Sequence, residues 1–342
     1  MGAGLLLLLG ITAAPTQAEP ATGAEIANYA GADRQRMLEQ GARKEGELLL
    51  YTTGTQIAPL MNRFAQKYPY LKLKFYRAGS SEVAQRVTIE YQAGFFAVDA
   101  FELGSDSLLV PRAQGMLQPF TSPEMAAYPA QSIDAQRYWV SARESYGGIS
   151  YNTKLIPPDQ APKTWPDLLK GEYKGKMAFP GSTTTAAEWV GILLTTYGED
   201  FVRKLGRQDI RVYKITARAL QNLVTSGEVA ISARSSNAHV AEDLKKNAPV
   251  AWVAPGPVAV TSTVAALAAR PPHPHAAMLM IDFLLSEEGQ KMYRDIGYNS
   301  ARKGLEDRDT PREKVYFTQR PTFVEDFETW GDLFRRVFVN KR

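Results

Sequence analysis

Leu48-Leu49-Leu50-Tyr51, ending in Thr52-Thr53-Gly54-Thr55, is the stretch on which the fold turns. A compact apolar run behind a Glu-Gly turn reads as a strand, and the small polar residues stop it. Working outward, Ile57, Leu60, Met61, Phe64 and Tyr68 recur at helical spacing up to Pro69, which predicts a helix. Leu71-Lys72-Leu73-Lys74-Phe75 then alternates like a half-buried strand. Ala78-Gly79-Ser80-Ser81 breaks it, and Ser80 or Ser81 can cap a helix carrying Val83, Val87 and Tyr91. Val98-Asp99-Ala100-Phe101 is a third short strand. A β-α-β-α-β order implies a mostly parallel sheet with helices on both faces.

A second set begins near Tyr146. Gly147 to Tyr151, Lys176 to Phe179, Val229 to Ser232 and Val250 to Val253 read as strands, with a helix through Trp189 and Leu193. Pro255-Gly256-Pro257 is a strong breaker and a candidate hinge. Met278, Ile281, Leu284 and Leu285 mark an amphipathic helix stopped at or soon after Gly289, and Trp330, Leu333, Phe334 and Val337 mark a last one.

At 342 residues, with 44% hydrophobic and 22% charged residues, two domains of ordinary composition are expected. The net charge of +4 is spread along the chain without a run of like charges, which argues against a nucleic-acid surface. There are no cysteines, which excludes disulfides, thiolate metal sites and cysteine nucleophiles, and only three histidines. Gly4-Leu5-Leu6-Leu7-Leu8-Leu9-Gly10-Ile11 followed by Thr16-Gln17-Ala18 fits a signal peptide cut after Ala18, although no basic residue precedes the apolar run. That run is shorter than the ~20 apolar residues of a membrane span. The mature protein is expected to be soluble outside the cytoplasm.

Ligands of open α/β sheets bind beyond the carboxyl ends of the strands. Three such ends carry small polar residues: Thr52-Thr53-Gly54, Gly79-Ser80-Ser81 and Ser182-Thr183-Thr184-Thr185. Each precedes a helix, where free N–H groups and the helix dipole favour an anion. Plain helix capping accounts for the same residues equally well. Arg77 and Arg234 flank two strand ends and can fork onto a carboxylate or phosphate, or can be ordinary surface arginines. Arg234 is preferred because Ile231 to Asn237 passes from a strand into a polar loop that also holds Ser235. Glu102 follows the third strand and can meet a cation or ligand amine, or simply face solvent.

No catalytic residue and no cofactor is singled out. No G-x-S-x-G elbow or Gly-rich phosphate motif occurs. His239 and Glu242 lie three apart on a helix but lack further metal ligands, and His273-Pro274-His275 lies in a proline-rich connector.

Gly148-Ile149-Ser150-Tyr151-Asn152-Thr153-Lys154-Leu155, then Pro162-Lys163-Thr164-Trp165-Pro166-Asp167-Leu168-Leu169 with Tyr173-Lys174-Gly175-Lys176, and finally Phe283-Leu284-Leu285-Ser286-Glu287-Glu288-Gly289-Gln290, resemble in order and spacing the type 2 periplasmic solute-binding proteins of ABC importers. Tyr76-Arg77-Ala78-Gly79-Ser80 is similar to the R-x-G-S stretch of their ferric-iron-binding branch. The resemblance covers roughly residues 45–300. It implies an α/β fold of two lobes, each a mixed sheet flanked by helices, closing over a small ligand and docking on an inner-membrane permease. With it, the chain divides into a signal peptide (1–18), an N-terminal segment (19–44), lobe 1 (45–145 plus about 256–300), lobe 2 (146–255) and a C-terminal segment packing on the lobes (301–342). It further implies a periplasmic monomer, with the three polar loops and Arg234 facing the cleft.

Iron-binding members of that branch use a pair of tyrosines after the strand matching Val229–Ser232. Here Ala233-Arg234-Ser235-Ser236-Asn237-Ala238 stands in that place. An arginine and two serines suit an organic acid, phosphonate or phosphate ester better than a ferric ion. The expected function is therefore capture of a small anion by Thr52, Thr53, Gly54, Arg77, Gly79, Ser80, Glu102, Ser182, Thr183, Thr184, Arg234 and Ser235. The alternatives are a ferric-ion receptor with a synergistic anion, or a secreted enzyme or sensor on the same scaffold.

Overall fold

The computed structural model describes residues 22–340 except 55, 182, 307–310 and 318–322. The apolar leader of residues 1–18 lies outside the described residues. Among the described residues eleven strands run β1 (Glu47–Thr52), β2 (Lys72–Arg77), β3 (Ala100–Gly104), β4 (Leu117–Gln118), β5 (Trp139–Asn152), β6 (Met177–Pro180), β7 (Arg211–Tyr213), β8 (Ile231–Ser236), β9 (Val250–Val253), β10 (Val258–Ala268) and β11 (Lys314–Val315). The helices are α1 (Gly23–Asn28), α2 (Arg34–Glu45), α3 (Ala58–Lys67), α4 (Ser80–Gln92), α5 (Leu109–Ala113), α6 (Thr183–Tyr197), α7 (Glu199–Gly206), α8 (Ala217–Ser226), α9 (Asn237–Leu244), α10 (Pro274–Leu285), α11 (Glu287–Asp295) and α12 (Phe323–Phe334).

The spatial order is β2-β1-β3-β10-β5-β8-β6-β7. β1 pairs parallel with β2 and β3, as crossovers through α3 and α4 require. β10 joins β3 and β5 antiparallel. The first part of β5 pairs with β10, whereas its second part pairs with β8 and β9. β5 is therefore shared by two half-sheets, and β10 runs beside it. Gly148 lies at the changeover: a Cβ there would sit 2.3 Å from the Val253 carbonyl oxygen, so the close approach admits glycine alone.

Each half-sheet is covered on both faces. In the first half, Leu48, Leu50, Leu60 and Phe64 pack with the α10 residues Met278 to Leu285 on one face. Tyr51, Val83, Val87, Phe101 and Trp139 pack on the other. Strand alternation divides Leu50 from Tyr51 in this way. The second half sets Trp165, Phe179, Trp189 and Leu193 on one face and Leu220, Val224 and Val240 on the other. Met37, Leu38 and Ala42 of α2 belong to the first-half core. Trp330, Leu333 and Phe334 of α12 belong to the second-half core.

Two local readings change. The α10 helix stops at Ser286, not at Gly289, because Ser286 turns extended and its hydroxyl accepts from the Gly289 N–H to start α11. The segment Ala233 to Ser236 is strand, not loop, because β8 is held by β5 through Ser236. The passages between halves include β5 beside β10, while Pro255-Gly256-Pro257 is the short link from β9 into β10. Among the described residues no helix is long and apolar enough to cross a membrane.

Candidate functional site

Two adjoining cavities open where the halves meet, sharing Ser145, Ser236, His239 and Thr261. The smaller, about 220 Å³, is lined also by Ser105, Asp106, Thr185, Glu188, Arg234, Val260 and Ser262. The larger, about 660 Å³, adds Thr53, Gln56, Arg143, Arg218, Asn222, Glu242, Lys246, Thr263 and Tyr298 among others. β5 contributes Arg143 and Ser145, and β10 contributes Thr261 and Thr263; both pairs obey the two-residue period that turns alternate side chains to one face.

The expected residues divide into several groups. Thr53 lines the larger cavity, where its hydroxyl accepts from Arg143 Nη2 at 3.0 Å. Arg234 lines the smaller one. Thr183 and Thr184 open α6, next to the lining residue Thr185, and Ser182 lies outside the described residues. Thr52 and Gly54 are buried but line neither cavity: the Thr52 hydroxyl donates to Glu102 at 2.5 Å and accepts from the Gly54 N–H at 2.9 Å. Arg77 is exposed at the end of β2, Gly79 caps α4 from outside, and Ser80 accepts from the Gly104 N–H at 3.4 Å. None of these three lines either cavity.

Glu102 and Ser235 are corrected. Glu102 has no exposed surface; its carboxylate takes Arg143 Nε at 2.5 Å, the Thr52 hydroxyl, and Tyr293 Oη at 3.4 Å. A carboxylate with these three partners is part of the frame and not a seat for a ligand amine. Ser235 donates to Gln221 Oε1 at 2.8 Å on the α8 side of the sheet, while its neighbours Arg234 and Ser236 face the cleft. The extension of β8 through Ser236 forces this alternation.

Residues 107–320 match the model of the family described as bacterial extracellular solute-binding proteins. The chain belongs to that family. As a solute-binding protein it is a component of an ABC import system. A Salmonella typhimurium protein provisionally named as 2-aminoethylphosphonate-binding and periplasmic is 24% identical over 244 residues, covering 67% of this chain and 68% of its own. In structure, the iron- and citrate-bound Trichodesmium protein IdiA (FutA) superposes with a TM-score of 0.71 at 18% identity, over 85% of this chain and 99% of that one. Iron-bound HitA of Pseudomonas aeruginosa gives 0.67 at 21% identity, again over 85% and 99%.

The cleft of this solute-binding protein is electrostatically uneven. Arg218 is held by Asp243 at 2.5 Å and by Asn222 at 2.6 Å. Arg143 lies over the Tyr298 ring at 4.2 Å. Burial pushes the Arg143 pKa down, but Glu102 outweighs it and the net movement is upward. His239 is pushed down to about 4, first by burial and then by Arg218 and Arg234, so it is neutral at pH 7. Burial raises the Glu188 carboxyl to about 7; Arg234 opposes this and Asp106 adds to it. Asp106 is raised by burial. Among the described residues no three His, Asp or Glu side chains are grouped to hold a metal ion.

Sequence reading missed Asp106, Arg143, Ser145, Glu188, Arg218 and Thr261. One signal was available: Thr261-Ser262-Thr263 is a polar run inside the apolar strand from Val258 to Ala268.

Proposed function

We propose that this protein captures a small organic anion, a phosphonate or phosphate ester in preference to a plain carboxylate, in the cleft and presents it to an inner-membrane permease from the periplasm. The observation that carries the reading is the larger cavity: Arg143, Arg218 and Lys246 line it together with Glu242, while Glu102 and Asp243, which pair with the two arginines, stand behind the lining. Hydroxyls and amides from Thr53, Gln56, Ser145 and Asn222 surround them. Charged donors converging with neutral ones in a concave site suit a multi-oxygen anion. The provisional name of the Salmonella relative agrees with this chemistry. A solute touching groups from both halves stabilises the closed arrangement, and that preference drives hinge closure. The solute leaves unchanged, so this is binding without turnover.

Calorimetry with ethylphosphonate, a phosphate monoester and acetate tests the reading. Phosphonate or phosphate ester should bind more tightly than acetate, and Arg218→Ala should weaken it about tenfold, the scale of one charge-assisted hydrogen bond. Melting curves of the variant check that Asp243, left without Arg218, has not unfolded it. Indifference to all three anions would overturn the reading. A tyrosinate charge-transfer band on adding ferric citrate would replace it with a ferric one.

A further inference from the structure

Two residues that line the smaller compartment each carry a buried polar atom without a partner. One atom is Arg234 Nε, on a side chain only 6% exposed. The other is His239 Nδ1, on an imidazole that is neutral at pH 7. Arg234 Nη2 is committed, to Glu188 Oε2 at 3.3 Å and to the Thr261 hydroxyl at 3.4 Å. The guanidinium lies against β5 at Gly147, where a Cβ would stand 2.9 Å from Nε and 3.2 Å from Cζ and Nη2. A guanidinium N–H only donates, so Nε needs an acceptor. The compartment limits what that acceptor can be. Asp106 and Glu188 already bring two carboxyl groups into about 220 Å³, and an anionic oxygen would add like charge. An ammonium has no lone pair to offer. A hydroxyl meets both conditions: it is uncharged, its oxygen accepts from Nε–H, and its proton can go to a carboxyl. A hydroxyl also serves His239 Nδ1, whether that nitrogen donates or accepts.

We infer that the smaller compartment seats a hydroxyl of the solute on Arg234 Nε–H, so that the cargo is a hydroxyalkyl phosphonate or phosphate ester. This rests on the anion reading for the acid end of the solute only; the hydroxyl seat stands on the two unpartnered atoms. Arg234 then determines specificity, because it separates a hydroxylated chain from a bare one. A bare alkyl chain leaves Nε and Nδ1 unsatisfied. A pocket that hydrogen-bonds a hydroxyl rejects the analogue lacking it, since its own buried polar groups are then left unpaired.

The test uses a matched series on the intact protein, 2-hydroxyethylphosphonate, ethylphosphonate and 2-aminoethylphosphonate, measured by calorimetry. The expected result is that 2-hydroxyethylphosphonate binds about tenfold more tightly than ethylphosphonate. Arg234→Lys keeps the positive charge and removes Nε–H, and should bring that ratio toward one. His239→Phe, which removes Nδ1, should lower it. Melting curves check that both variants are folded. Equal affinities for the hydroxylated and bare phosphonates, a ratio unchanged in both folded variants, or tighter binding of the amine than of the hydroxyl overturns the inference. If none of the three binds, the anion reading falls and erythritol, an uncharged tetraol, decides. Erythritol binding that Arg234→Lys weakens keeps the hydroxyl seat; no binding, or binding indifferent to the variant, removes it.

Discussion

Two buried carboxylate–guanidinium pairs stand in the same cleft and differ in kind. Glu102 and Arg143 meet at 2.5 Å, with Thr52, Thr53 and Tyr293 bonded to them and Tyr298 stacked beneath the guanidinium. Glu188 and Arg234 meet at 3.3 Å through a single contact, and one guanidinium nitrogen is left over. Both pairs are out of water. A buried pair is stable only when hydrogen bonds satisfy its remaining groups. The first meets that condition within the protein alone; the second leaves the Arg234 Nε–H without an acceptor.

The largest effect that would break this contrast is at Glu102. Glu102→Ala leaves Arg143 buried without its counter-charge, and about 3–5 kcal/mol of stability should be lost, measured by urea unfolding. A loss no larger than that of a surface substitution would place Glu102 outside the frame. Next is the pH dependence of Glu188, faced by Arg234 and Asp106 with His239 alongside. Its carboxyl is raised to about 7 in the folded protein from an ordinary 4.5. The folded state therefore holds a proton that the unfolded state releases between these values. Stability from this group is full below pH 4.5 and is lost as pH rises through 7. Glu188→Gln should flatten that part of the melting-temperature profile; parallel profiles would show the carboxyl to be already ionised. The smallest effect separates the two faces of β8. Ser235→Ala removes the bond to Gln221 and should cost about 1 kcal/mol of stability, with solute affinity retained. Ser236→Ala should do the reverse, weakening affinity in titration calorimetry while the melting temperature holds.

How much of this was legible in the sequence depends on how far apart the partners lie. The strands at Leu48–Tyr51 and Lys72–Phe75, and the helix between them, follow from local period. So does the tail helix through Trp330, whose apolar side packs against the second-half core. The site was less accessible because its lining depends on pairing. Whether Ser235 or Ser236 enters the cleft is decided by the register of β8 on β5, in which Ser236 lies opposite Gly147 and Ser235 opposite Gly148. Whether Glu102 is free depends on Arg143, 41 positions away. The rule that places ligands beyond strand ends reached Thr53 and the start of α6. It passed over the middles of β5 and β10, because those strands cross the cleft instead of ending at it.

Gly148 carries a further consequence. It opens the stretch through Asn152, and each duty found there is assembly. Gly148 lets β9 approach, Ser150 donates to Gln221 at 2.7 Å, and Asn152 donates to the Val224 carbonyl at 2.9 Å. None of the three lines either cavity. This stretch is thus a construction joint, separate from the residues that line the cleft. Cleft side chains such as Ser236 and Thr261 can therefore be exchanged without touching the seam that holds β5, β8 and β9 together.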